Sequence, residues 1–137
     1  MSEGHEQYDV GVKALIVRRK RLLVVRRADH GVWEVPGGRV NYDEDILATL
    51  RREIGEELPG AKATKIGHIV HAEQSAFRLP HGNRLLLLFF PVKVGFSRHG
   101  QSISSEHVDI RWVSSAELNE LNLHTTVKQA AVLALGS

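Results

Sequence analysis

The chain has no cysteine, which excludes disulfides and fits a cytoplasmic setting. It also lacks a long apolar run. The longest, residues 85–90 (LLLLFF), falls far short of the roughly 20 residues that a membrane-crossing helix needs. The opening stretch, MSEGHEQYDV, holds no apolar segment of the secretory kind. An excess of one charge is missing too: 18 Lys plus Arg face 16 Asp plus Glu, for a net charge of +2. That balance argues against a dedicated nucleic-acid binder. There are no internal repeats, low-complexity tracts or interior linkers. The expectation is a soluble, cytoplasmic protein with neither membrane nor nucleic acid as partner.

What is present is ordinary globular composition, 42% hydrophobic and 25% charged over 137 residues. That length supports one core and is too short for two ordinary domains, so one domain over 1–137 is expected. The run 10–17 (VGVKALIV) reads as a buried strand, and 22–25 as a second strand paired with it in a hairpin. The basic run 18–21 between them reads as a solvated turn. A phosphate or RNA patch is the lesser alternative, because no aromatic residues are interleaved. Residues 65–71 and the long apolar run 84–94 read as further strands, with a turn at 79–83 between them. A flexible polar loop is expected at 95–105, then a short strand at 110–113. Ser114 or Ser115 is expected to cap a helix reaching residue 121, and Thr125 or Thr126 a last helix over 127–135.

The chemistry concentrates in residues 37–60, GGRVNYDEDILATLRREIGEELPG. Leu47, Leu50, Ile54 and Leu58 repeat at helical spacing and predict an apolar stripe. Glu53, Glu56 and Glu57, at i, i+3 and i+4, share another face. Like charges so placed cost a few tenths of a kcal/mol per pair. Either water solvates this acidic face or a hard divalent cation compensates it. Upstream, Gly37 and Gly38 follow a strand-like run, 33–35, and let backbone approach a ligand closely. Pro59 predicts a helix that stops near Leu58, with Gly60 making the turn.

From Gly38 the spacing runs five residues to Glu44, seven more to Arg52-Glu53-Ile54, then Gly55 and Glu56-Glu57. This resembles the signature of the Nudix hydrolases, and every charged position is matched. The signature's closing Gly-aliphatic pair is Pro59-Gly60 here, a departure confined to the loop after the helix. The resemblance implies an α+β fold, an α/β/α sandwich with a mixed sheet and helices packed on both sides. It implies a hydrolase of a nucleoside diphosphate linked to another group, dependent on Mg²⁺, with Mn²⁺ as an alternative. Glu53, Glu56 and Glu57 would be metal ligands, joined by the Gly37 carbonyl. Arg52 would orient the carboxylates. Glu44 would support them, or simply be a charge favourable at a helix N-terminus. Arg27, at a strand end, and Gly38 are candidates for substrate contact. The partner implied is a small nucleotide, and a homodimer is left open.

A second constellation lies at 104–112, SSEHVDIRW. Glu106 stands six residues before Trp112, a placement common in the family, where such a Glu ligates metal or acts as base. His107 beside it is similar to the general base of the GDP-mannose mannosyl hydrolases, which share PGGRV and a segment ending in Arg-Trp. His71 is a weaker candidate. That subgroup has lost part of the carboxylate set kept here, so pyrophosphate P–O cleavage is expected, with Arg52, Glu53, Glu106 and His107 as the catalytic residues. The alternatives are glycosyl cleavage of a GDP-sugar with His107 as base, and a non-catalytic nucleotide-binding module. Trp33 reads as core, and Tyr8, Phe77 and Arg84 are the only candidates for base recognition.

Overall fold

The computed structural model describes residues 4–96, 105 and 107–136. Among these residues nine strands and three helices follow one another: β1 (Tyr8–Leu15), β2 (Val17–Arg18), β3 (Arg21–Arg27), β4 (Trp33–Glu34), β5 (Gly37–Arg39), α1 (Ile46–Glu57), β6 (Lys62–Ile66), β7 (His71–Arg78), β8 (Arg84–Gly95), β9 (His107–Val113), α2 (Ser115–Leu118) and α3 (Lys128–Leu135). One sheet runs β5-β1-β8-β6 with β7 also on β8, and the other runs β2-β3-β4 with β9 on β3. β1 and β8 are parallel, while their other neighbours are antiparallel, so the first sheet is mixed.

Alternation along β3 shows how the layers form. Leu22 and Val24 face one core with Leu15, Trp33 and the α3 residues Ala130 and Ala131. Leu23 and Val25 face the other, with Val12, Ile16 and the α1 residues Leu50, Ile54 and Leu58. Side chains on a strand point alternately to opposite faces, so β3 is covered on both. The expected sandwich with helices on both sides is the arrangement found. No helix among the described residues is long and apolar enough to cross a membrane.

Several local expectations change. The run 10–17 divides at Ile16: β1 enters the first sheet, and only β2 pairs with β3, as Val17 with Leu22 and Arg18 with Arg21. Arg19 and Lys20 take positive φ of 52° and 62°, the tight turn that matches strand twist. The turn residues are exposed, as expected, but Arg18 is not merely solvated. Its guanidinium stacks 5.2 Å from the Phe96 ring centroid and 5.4 Å from that of Trp112 and donates to the Val94 carbonyl at 3.0 Å.

No continuous strand spans 65–71. β6 ends with Ile66 opposite Val92 and β7 begins with His71 opposite Phe89, so residues 67–70 bulge against 90–91. Pro91, lacking an N–H, cannot donate to a ladder there. In α1, burial begins at Thr49, and Leu47 is 43% exposed because the first turn overhangs the core. The helix stops as Pro59 requires: Leu58 leaves helical geometry at φ −124° and ψ 74°, and Gly60 turns at φ 88°. Ser114 caps α2 in a reciprocal box with Glu117, but α2 ends at Leu118. Neither threonine caps α3, whose N-cap is Val127. The Thr126 hydroxyl is taken by His124 Nδ1 at 2.8 Å. β9 starts at His107, earlier than expected, and most of the loop expected at 95–105 lies outside the described residues.

Candidate active site

The two glycines that end the WEVPGG run are required by geometry. Gly37 pairs with Lys13 and Gly38 with Val12 across β1 and β5. A Cβ at 37 would stand 2.0 Å from the Val12 carbonyl oxygen, at a φ of +152°. A Cβ at 38 would stand 2.4 Å from the Glu53 carboxyl carbon. A bare backbone therefore lets α1 lay its carboxylates directly on β5. Glu57 Oε2 accepts the Gly37 N–H at 3.0 Å, and Glu57 is only 3% exposed. The Glu56 side chain is 59% exposed.

Arg52 ties this face together. Its Nε and Nη2 donate to the two oxygens of Glu44 at 2.8 and 3.0 Å. Its Nη1 donates to Glu53 Oε1 at 3.0 Å and to Glu56 Oε1 at 3.3 Å. Hydrogen bonds from Arg52 hold the Glu44 carboxyl down at about 2, and the same bonds raise the guanidinium. Asp45, not Glu44, caps the helix, accepting from the Leu47 and Ala48 N–H groups. Glu44 is thus spent on Arg52.

Behind Glu57 lies a buried charged cluster that the sequence reading missed in part. Glu34 Oε2 lies 3.2 Å from His107 Nε2, and Glu57 Oε1 lies 3.6 Å from the same nitrogen. Lys13 Nζ stands 3.5 Å from Glu34 Oε1 and donates to the Val35 carbonyl at 3.4 Å. Strand β3 assembles the set, because Val25 pairs with Glu34 on β4 and Arg27 with His107 on β9. The His107 side chain has no exposed surface, and among the described residues its Nδ1 has no hydrogen-bond partner. One atom each from Glu34, Glu57 and His107 lies within 4.8 Å of the others. Two signals could have found the missing members: Lys13 is the one charge in the apolar run 10–17, and Glu34 is the one charge between Trp33 and Pro36.

The two buried acids are driven apart. Burial, reinforced by Glu53 and opposed by Lys13 and the Gly37 N–H, pushes the Glu57 carboxyl up to about 9. Burial pushes Glu34 the same way, but the His107 hydrogen bond and the charges of Lys13 and Arg27 outweigh it and hold Glu34 at about 2.

The other candidates fall at the rim or elsewhere. Arg27 Nη1 is 3.8 Å from Glu34 Oε2, while its Nε and Nη2 grip the Asp29 carboxylate at 3.2 and 3.0 Å. Glu106 lies outside the described residues. His71 contacts Glu73 at 2.8 Å and stays apart from the cluster. Trp33 is core, 6% exposed. Arg84 spends its guanidinium on the Ser75 carbonyl, and the Tyr8 hydroxyl donates to Gln74. Phe77 is 44% exposed and packs edge-on against His124.

Known proteins share this frame. The solved structure of a MutT protein from Methanosarcina mazei Go1 superposes with a TM-score of 0.76 at 26% identity, covering 96% of each chain. The Escherichia coli ORF135 protein superposes at 0.75 with 29% identity, over 95% of this chain and 91% of that one. In sequence, the CTP pyrophosphohydrolase of Escherichia coli (strain K12) is 32% identical over 112 residues, 77% of this chain and 76% of that one. The MutT-like protein of Streptomyces ambofaciens is 45% identical over 51 residues, and this match spans only 33% of its length. A family model described as NUDIX domain matches residues 7–134. With the carboxylate helix, its paired glycines and the sheets that hold them all inside that match, the chain belongs to the Nudix hydrolase family, among relatives that are pyrophosphohydrolases.

Proposed function

We propose that this hydrolase cleaves a P–O bond in the diphosphate of a nucleoside diphosphate linked to a further group, a nucleoside triphosphate or a nucleotide sugar, with Mg²⁺ as cofactor. The observation that carries the reading is the placement of Glu53 and Glu57 against the backbone of Gly37 and Gly38. The donors there are all oxygen, the set that Mg²⁺ and, next, Mn²⁺ prefer. Glu57 fits such an ion in another way. Burial and the neighbouring Glu53 hold its carboxyl protonated at neutral pH, and a divalent cation bound there would take the place of that proton and release it to solvent. Glu53, Glu56 and Glu57 would hold the ion with the Gly37 carbonyl. When bound, it neutralises diphosphate oxygens and lowers the pKa of attacking water.

The chain's own residues do the rest. Arg52 fixes the Glu53 carboxylate through a single hydrogen bond from Nη1 to Oε1, its fork being held by Glu44. Lys13, buried beside Glu34, adds positive charge behind Glu57. Arg27 stands near Glu34, where the bidentate geometry of a guanidinium suits a phosphate. His107 is a poor general base for attack at a sugar carbon, since its side chain is fully buried and Nε2 is engaged by Glu34. We assign it to holding the acids in place, and leave Glu106 as the base. Retention of all three helix carboxylates favours attack at phosphorus, where charge builds on the equatorial oxygens.

The test is a panel of nucleoside triphosphates, nucleotide sugars, dinucleoside polyphosphates and ADP-ribose with Mg²⁺, the best substrate then being turned over in ¹⁸O water. Label on a phosphate, with a nucleoside monophosphate among the products, is expected. Label on the C1 oxygen of a released sugar, with intact GDP beside it, would overturn the assignment and restore His107 as base.

A further inference from the structure

A second concavity lies away from the carboxylate cluster and shares none of its residues. It is a cavity of about 450 Å³ beside the irregular stretch 67–70, whose Gly67 and Val70 N–H groups donate to the Pro91 and Phe89 carbonyls of β8, and its volume is within the range of small-molecule sites. Its floor is Leu15, Pro91 and Val92, and its walls are Val17, Val70 and Leu133. Val17, Val70 and Leu133 are 41%, 50% and 53% exposed, so apolar surface is presented to solvent together and not as scattered residues. Lys65 and Lys93 complete the lining. These two lysines are direct partners across β6 and β8, a like-charge pairing that disfavours the sheet. Among the described residues neither has a carboxylate partner.

We propose that this cavity binds a single-chain amphiphilic carboxylate of the fatty-acid type, its chain on Leu15, Val92 and Leu133 and its head between Lys65 and Lys93. The anion would relieve the paired ammonium charges while the chain covers the exposed apolar wall. A single negative charge suits the place better than a phosphate dianion. Leu133 and Ala134 come from the last turn of α3, and the C-terminal end of a helix repels negative charge. The lining also offers lysine point charges and no arginine fork. A second copy of the chain is a poorer occupant, because a two-fold contact would set Lys65 and Lys93 against their own copies.

Calorimetric titration with decanoate, decanol and decylammonium tests this. Decanoate is expected to bind saturably with one molecule per chain, and the alcohol and the ammonium at least about tenfold more weakly. The charge-reversed double variant Lys65→Glu, Lys93→Glu should lose decanoate binding while its melting temperature stays close to wild type. Leu133→Asp, at an exposed helix position, should lose it as well. Equal binding of all three ligands, or decanoate binding that survives both variants, would overturn the proposal. So would tighter binding of dodecyl phosphate than of dodecanoate. Light scattering that shows a dimer unaffected by decanoate but split by Leu133→Asp would make the cavity a self-interface instead.

Discussion

The carboxyl carbon of Glu53 lies 2.4 Å from the point where a Cβ on residue 38 would stand. Glycine at 38 is therefore a condition for where Glu53 sits. The contact is with the far end of a flexible side chain, so Gly38→Ala should fold, with the Glu53 carboxylate displaced. Turnover should fall about 100-fold, the order of loss that small displacements in an active site bring, with little change in melting temperature. Gly37→Ala should behave differently. There the obstruction is the Val12 carbonyl at 2.0 Å and the φ is +152°, so thermal melts should show a large loss of stability. Wild-type turnover in a well-folded Gly38→Ala would remove Glu53 from the mechanism.

Arg52 uses Nε, Nη1 and Nη2 on three different carboxylates. A lysine keeps the charge but not the planar fork. Arg52→Lys should lower kcat by about 10- to 100-fold, as expected when a positioning contact loosens, while KM for the nucleotide moves little. A rise in KM at unchanged kcat would instead mark Arg52 as a substrate contact.

How far the sequence foretold this site depends on the range of the contacts. The carboxylate face of α1 was legible because Glu53, Glu56 and Glu57 are neighbours on one helix, and helical period is a local property. The end of α1 was legible for the same reason, since Pro59 acts on Leu58 directly. The break between β6 and β7 was not, because its cause is Pro91, on a partner strand. Nor was the pairing of Glu34 with His107, which are 73 positions apart and meet only through the register of β3. Leu47 failed for a subtler reason: periodicity names the face of a helix but not where the core beneath it ends.

Glu34 and Lys13 form a buried pair, their side chains 14% and 11% exposed. Removing one member strands the other. Glu34→Gln should cost about 3 kcal/mol, as broken buried pairs do, and Lys13→Met should also destabilise. The double variant should lose less than the two single losses together, since each single change leaves a charge unpaired. Denaturant titration of all four proteins measures this, and strict additivity would show that the two groups do not interact.

The last prediction concerns Glu57 and pH. Its carboxyl is pushed from 4.5 up to about 9 in the folded chain, so folded protein holds a proton that unfolded protein releases. With a raised acid, stability is fully present below about pH 4.5 and drains away as pH rises toward about 9. Glu34, lowered to about 2, has the opposite sign, but its contribution is lost only as pH falls from about 4.5 toward 2, outside this window. In chelator, then, the melting temperature should be lower at about pH 8.5 than at about pH 6, the slope following the extra proton bound by the folded state. Saturating Mg²⁺ should raise the melting temperature most at the alkaline end, because an ion that binds only the folded form stabilises it and takes the place of the proton there. Glu57→Gln removes this falling contribution, so its melting temperature in chelator should no longer drop across the same range and should keep only the small rise due to His124, whose pKa burial lowers from 6.5. A wild-type melting temperature that climbs with pH in chelator would show that Glu57 is ionised without metal, and that the cation is not needed to hold its charge.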